Sequence, residues 1–137
     1  MQIYVATQWK HRGRVGQFMQ ALHGAGVKAT QTYVWVHGTH EDDALTVAKS
    51  EFDGVVTADV CVVLLPGAQG THSELGMAIA AGVPTIIVDQ SDKSLIWGDD
   101  GWPLCPAYLL ADHRVGTEAE AIEILKQYER NFNAQQR

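Results

Sequence analysis

The sequence predicts an α/β three-layer sandwich: a mainly parallel, five-stranded sheet with helices on both faces. Three observations lead there. The uninterrupted apolar run over residues 60–65, Val-Cys-Val-Val-Leu-Leu, lacks the alternation of a half-exposed strand and reads as one buried on both faces. It is followed by a Gly-rich turn (Pro66, Gly67, Ala68, Gln69, Gly70), a helical pattern carrying Leu75, Met77, Ala78, Ile79 and Ala81, a stop at Gly82, and a second apolar strand over 85–88 behind Pro84. That is one β-turn-α-β unit of about thirty residues, the size of a right-handed parallel crossover. The rest of the chain alternates strand-like with helix-like segments, the pattern of flavodoxin-like and Rossmann-like folds.

Taken in order, residues 2–7 read as the first strand, and the loop 8–13 leads to a helix over about 14–24 with Val15, Phe18, Met19 and Leu22 on one face. Residues 29–36 read as a second strand, with Thr32, Val34 and Val36 alternating with Tyr33 and Trp35. Thr39 with Asp42 forms a capping pair for a helix over about 41–57. After the central unit, residues 90–106 show no periodicity and read as a long loop, and 106–111 as a short fifth strand. Thr117 with Glu120 forms a capping box for a closing helix, with Ile122, Leu125 and Tyr128 toward the sheet and a frayed polar tail over 131–137. No repeat or linker interrupts the chain, so residues 1–137 are read as one domain.

The chemistry is expected around Glu74. With Thr71 as N-cap, this carboxylate falls in the first turn of the central helix, just beyond the C-terminal edge of the sheet, where open α/β folds keep their ligand crevices. An acidic first turn also simply complements the helix dipole. Here Gly67 and Gly70 admit close approach of backbone N–H groups, and Thr71 and Ser73 add hydroxyls at the same rim. A sugar or phosphate cradle containing one carboxylate suits attack at an anomeric carbon. Ala6 leads from the first strand toward Trp9, whose indole is able to stack on a base or to cover the core.

At these residues a family resemblance emerges. Ala58-Asp59, the apolar strand and G-T-x-x-E-L-G-x-A-x-A-x-G-x-P over Gly70 to Pro84, with Ile3-Tyr4-Val5-Ala6, resemble the nucleoside 2-deoxyribosyltransferases and related nucleoside 5'-monophosphate N-glycosidases. P-G-x-x-G-T-x-x-E over Pro66 to Glu74 also resembles the cytokinin-type phosphoribohydrolases. The resemblance implies cleavage of the N-glycosidic bond of a (deoxy)nucleoside or its 5'-monophosphate, with Glu74 as nucleophile and water or a second base as acceptor. It implies a hydrogen bond from Tyr4 that orients Glu74 and lowers its pKa. It offers Glu51 or Asp53 as the acid assisting the leaving base, where relatives carry an Asp. Ala68 departs from the pattern: the family places a Ser or Asp there for the sugar's 5' end, so that role passes to backbone N–H groups, Thr71, His72 or Ser73. The segment Ser94 to Gly98, with Leu95, Trp97 and Gly98, resembles the part that walls a neighbouring subunit's site, implying a homodimer or higher homo-oligomer. A binding module without turnover is the alternative of a different class.

Other classes are disfavoured. A net charge of −6 argues against a nucleic-acid polymer or an anionic membrane as partner. Cys61 and Cys105 have no C-x-x-C spacing and, with no secretory or membrane-spanning pattern, the expected location is the cytoplasm. The run His37, His40, Glu41, Asp42, Asp43 is a loop and helix start rather than a metal motif, and no dinucleotide fingerprint is present; no cofactor or metal is expected.

Overall fold

The computed structural model describes residues 1–34 and 44–137. Among them, strands β1 (Gln2–Ala6), β2 (Thr30–Gln31), β3 (Val60–Leu64), β4 (Thr85–Val88) and β5 (His113–Val115) form one sheet in the order β2-β1-β3-β4-β5, with every pair parallel. Helices α1 (Gly13–Gly24), α2 (Ala44–Val56), α3 (Gln69–Ala80) and α4 (Glu118–Gln135) connect and flank them. This is the flavodoxin-like strand order, which reverses direction between β1 and β3.

The apolar runs are explained by burial on both sides. Every residue of β3 and β4 is buried. Because successive side chains point to opposite faces, Ile3, Val5, Val60, Val62 and Leu64 meet Phe18 and Leu22 of α1 and Ile122 and Leu125 of α4. Tyr4, Ala6, Cys61 and Val63 meet Val55 of α2 and Leu75 and Ala78 of α3 on the other face. In this register Tyr4 stands beside Cys61, on the face that α3 covers. Gly82, at φ 72°, ends the α3 connection as expected, and Asp112 accepts from the Thr85 N–H at 2.8 Å where β4 begins.

Several expectations are corrected. The second strand is only Thr30–Gln31, because this edge strand has β1 as its one neighbour; Tyr33 leaves the ladder to stack on Tyr4, with ring centroids 6.4 Å apart. Trp35, Val36, the Thr39–Asp42 cap and the His37 to Asp43 run lie outside the described residues. The segment Pro106–Leu110 is a 3-10 helix rather than a strand, and the fifth strand is His113–Val115, whose half-exposed, charged composition hid it. The closing helix continues to Gln135 through the tail expected to fray. Its cap is as expected, with the Thr117 hydroxyl accepting from the Glu120 N–H at 3.1 Å. No helix among the described residues is long and apolar enough to cross a membrane.

The two-sided core makes a direct stability prediction. Leu22→Ala or Leu125→Ala, each at a fully buried position on the α1/α4 face, is expected to cost about 2–5 kcal/mol by urea unfolding. Leu45→Ala, at a position 60% exposed, is expected to stay within about 0.5 kcal/mol.

Candidate active site

Where the strand order reverses, the chain ends above β1 and β3 diverge and leave a crevice. β1 runs on through Thr7 and Gln8 into a 3-10 turn, Trp9–His11. β3 runs on through Leu65 and a cis bond to Pro66 into Gly67, Ala68 and α3. Thr7 ties the two strand ends, its hydroxyl donating to the Leu64 carbonyl at 2.8 Å. Arg14 donates to the Leu65 carbonyl at 2.8 Å and pairs with Glu118 at 3.1 Å, bracing the turn from the α1/α4 side.

The start of α3 differs from expectation. Ala68, not Thr71, holds the N-cap position, and it has no side-chain acceptor to offer. Thr71 sits three residues in, where its hydroxyl accepts from the Ala68 N–H at 3.2 Å, one half of a capping box. A side chain at Gly67 would place its Cβ 2.8 Å from Thr71 Cγ2, so the turn closes over Thr71 only with glycine there. Because the helix starts three residues earlier than expected, Glu74 lies in the second turn and points at the sheet, beyond the first turn's dipole positions.

Glu74 is 5% exposed. Its Oε1 accepts from the Tyr4 hydroxyl at 2.7 Å, while Oε2 is buried with no partner among the described residues. Tyr4 is fully buried under α2, whose Gly54 makes room: a Cβ there would lie 3.2 Å from the Tyr4 ring and 3.0 Å from Tyr33 Cβ. Burial pushes the Glu74 carboxyl up from 4.5 to about 7; the Tyr4 hydrogen bond pulls it down and the nearby charge of Glu51 pushes it up again. The Tyr4 bond thus acts in the expected direction, but desolvation outweighs it. Burial, followed by the Glu74 charge, pushes the Tyr4 hydroxyl well above the ordinary tyrosine value, so it stays a donor. Burial also raises Glu51. Cys61, buried behind them, is raised by burial and then by Glu74, which keeps it a packed, neutral thiol.

A cavity of about 190 Å³ opens over this pair, lined by Thr7, Gln8, Trp9, Glu51, Ala68, Gly70, Thr71 and Glu74. A larger, more open hollow of about 480 Å³ lies at the opposite edge of the sheet beside Met1, His23 and Lys28, remote from every expected site residue. The structure therefore brings together Glu74, Tyr4, Glu51, Trp9, Ala68, Gly70 and Thr71, with Gly67 shaping the turn. It leaves Asp53 exposed and away from the cavity lining, and Ala6 fully buried in the core. His72 and Ser73 point elsewhere. The His72 Nδ1–H donates to the Ala68 carbonyl at 2.7 Å, and its Nε2 is hydrogen-bonded to the Tyr108 hydroxyl at 2.5 Å. Ser73 donates back to the Gln69 carbonyl at 3.0 Å. Thr7 and Gln8 escaped sequence reading, since polar residues after a strand are ordinary loop composition. Trp9 is 47% exposed, with the Arg12 guanidinium 4.4 Å over its ring.

Leu95, Trp97 and Gly98 belong to a tethered loop. Asp89 accepts from the Leu95 N–H at 2.8 Å and from Ser91, and Leu104 N–H donates to the Ile96 carbonyl at 2.9 Å. Ile96 is buried in the α2/α3-side core, whereas Trp97 and Trp102 stay 45% and 68% exposed. None of the loop lines the cavity. Among the described residues no cluster of His, Cys, Asp or Glu is placed to hold a metal ion, and both cysteines are free.

No family model and no curated protein matches this sequence. Solved structures do match. A conserved protein from Enterococcus faecalis V583 superposes with a TM-score of 0.68 at 18% identity, over 93% of this chain and 98% of that one. The Clostridium botulinum CMP N-glycosidase BcmB superposes with a TM-score of 0.54 at 17% identity, over 92% of this chain and 99% of that one. The fold is shared with that N-glycosidase. A 2-deoxyribosyltransferase from Bacillus psychrosaccharolyticus is a further match, with a TM-score of 0.48, 18% identity, and coverage of 69% and 76%. At these identities the likeness is one of fold.

The raised Glu74 value carries a stability consequence. A carboxyl whose folded pKa exceeds its unfolded one favours the folded state fully below about 4.5, and that contribution is lost as pH rises through about 7. Glu74→Gln is therefore expected to match wild type at pH 4 and to exceed it at pH 8 by up to about 3 kcal/mol, read by urea unfolding at both values. Equal stabilities at pH 8 would show that the carboxylate ionises without penalty.

Proposed function

We propose that this protein cleaves the N-glycosidic bond of a (deoxy)nucleoside or its 5'-monophosphate. The observation that carries the reading is the buried bond from Tyr4 to Glu74 Oε1, which leaves Oε2 unpartnered at the reversal-point cavity. A carboxylate fixed through one oxygen has the other aligned for attack. In the proposed reaction Oε2 bonds to C1', the C1'–N bond breaks, and the base leaves with a proton. The glycosyl ester is then opened at C1' by water, or by a second base, with net retention. Glu51 is the proton donor, because it lines the cavity and burial raises its pKa, whereas Asp53 is exposed. Trp9 is the stacking surface for the base.

Recognition of the sugar's 5' end rests on little. With His72 and Ser73 bonded within the protein and Ala68 lacking a polar group, there remain the first amides of α3, at Gln69 and Gly70, and the Thr71 hydroxyl. Weak selectivity between nucleoside and monophosphate follows from that set.

Completion of the site by a second subunit is part of the same proposal. A cavity of about 190 Å³ is below the ~300–1,000 Å³ typical of small-molecule sites. The loop carrying Trp97 and Trp102 presents exposed aromatics with Leu104, 62% exposed, on a firm tether, the composition of an interface. We take the assembly as a homodimer, or a higher oligomer of dimers, in which this loop walls the partner's cavity.

Three experiments test these statements. Glu74→Gln is expected to abolish release of free base from a panel of nucleosides and monophosphates, assayed with and without an acceptor base; activity within about tenfold of wild type would rule out nucleophilic catalysis. Tyr4→Phe should slow the reaction about 10²-fold and move the Glu74 ionisation seen in the pH profile of kcat/KM upward, because the bond that pulls its pKa down is lost. Light scattering over a dilution series, read beside activity, tests the assembly. A fully active monomer at micromolar concentration would exclude the shared site.

A further inference from the structure

Gln8 is the cavity residue that the proposed chemistry leaves unused. It stands between Thr7, whose hydroxyl is spent on the Leu64 carbonyl, and Trp9. Its side-chain carbonyl oxygen is buried and has no hydrogen-bond partner among the described residues. The one other side-chain atom in that condition among them is Glu74 Oε2, and both residues line the same cavity. Elsewhere the buried polar side chains are satisfied: Thr7, Thr71 and Thr85 all have partners. Orphaned acceptors are costly in a folded protein, and those that persist need an account. Glu74 Oε2 has one in the nucleophilic role, where it takes a carbon centre. Gln8 Oε1 cannot take that role, since a neutral amide oxygen is a weak nucleophile; a donor hydrogen is what it lacks.

We propose that Gln8 is a specificity-determining residue whose carbonyl accepts a hydrogen bond from the bound nucleoside, so that the site selects substrates carrying a donor at that point. The inference rests on the reading of this cavity as a nucleoside site. We assign that donor to one of two groups, the exocyclic amine of an amino base or the 2'-hydroxyl of a ribose; the 3'- and 5'-hydroxyls are common to all nucleosides and give no selection, and the ring N–H beside the carbonyl would instead favour the keto bases. Uracil and hypoxanthine present a carbonyl where cytosine and adenine present the amine, so a keto base faces Gln8 acceptor to acceptor. A 2'-deoxyribose leaves the oxygen unpaired. A site built around a hydrogen bond rejects the analogue lacking it more strongly than an apolar pocket rejects an extra polar group.

The test compares cytidine with uridine and adenosine with inosine, each as the ribo and the 2'-deoxy compound. Two readouts are taken: kcat/KM for base release in the wild-type background, and dissociation constants by calorimetry in the Glu74→Gln background, where turnover is absent. Wild type is expected to prefer the donor-bearing member of one comparison by about tenfold or more. Amino over keto assigns the bond to the base, and ribo over deoxy assigns it to the sugar. The ratio should fall to within about threefold in Gln8→Met, which removes the acceptor at similar length, and persist in Gln8→Glu, which keeps one. Equal treatment of all pairs by wild type, a ratio that survives in Gln8→Met, or a preference for the keto bases would each overturn the proposal. Donor-dependent binding without base release would sustain Gln8 and refute the glycosidase reading. Base release with no dependence on Gln8 would do the reverse, and absence of binding by every compound would overturn both.

Discussion

A carboxylate held out of water against a tyrosine hydroxyl sets the terms for the rest of this molecule. Moving an ionisable group into a protein interior favours its neutral form, and a single hydrogen bond recovers only part of the lost hydration. Glu74 shows that balance, with burial outweighing the Tyr4 bond. Keeping the two groups 2.7 Å apart requires β1 and β3 to lie side by side in the register that sets Tyr4 beside Cys61. It also requires both covering helices to come close. Gly54 lets α2 lie on the Tyr4 ring, and Gly67 lets the turn before α3 close over Thr71. The same parallel sheet that buries Val60–Leu64 on both faces provides the dry wall against which the pair stands.

The arrangement places two carboxyl groups on one small cavity. Glu51 is half-buried and Glu74 nearly fully so, and burial raises both. Like charges sharing a site resist simultaneous ionisation, which pushes one of them toward the protonated form near neutral pH. That division is what acid-assisted nucleophilic displacement uses: one group ionised to attack, the other protonated to assist departure. In the proposed reaction Glu74 has to give up its proton before it attacks, and the Tyr4 bond, which favours the charged form, offsets part of the burial and of the Glu51 charge that hold it neutral.

Around the pair, the polar groups divide into those committed to the scaffold and those left facing the cavity. Thr7, Arg14, His72 and Ser73 each bond to a backbone carbonyl at or beside the crevice and hold its edges in place. His72 additionally links the first turn of α3 to Tyr108 in the 3-10 helix that follows the long loop. The loop itself is anchored by Asp89 and by Ile96 in the core, so its exposed indoles are displayed from a fixed base.

Much of this was legible in the sequence, for identifiable reasons. Residues 60–65 announced a doubly buried strand because a central parallel strand covered on both faces is mostly apolar, and Gly82 and Thr117 marked helix ends because backbone conformation and capping leave few residue choices there. The placement of Glu74 beyond the sheet edge, with Tyr4 in reach, was equally readable from the motif. Other features depended on distances between segments far apart in the chain. Glu51 and Asp53 look alike in sequence, yet only packing of α2 against α3 brings one to the cavity and leaves the other exposed. His72 and Ser73 were expected to face a ligand, and the helix start at Gln69 turned their polar atoms to backbone carbonyls instead. The pKa of Glu74 was expected low from its partner and is high from its burial, because the hydrogen bond is a pairwise matter whereas desolvation sums over everything that surrounds the group. Gln8 gave no signal at all: its unpartnered carbonyl exists only once the crevice has closed around it. Local pattern determined which elements form and where they end; only the tertiary structure decided which polar groups find partners, because that depends on long-range packing that no window of sequence contains.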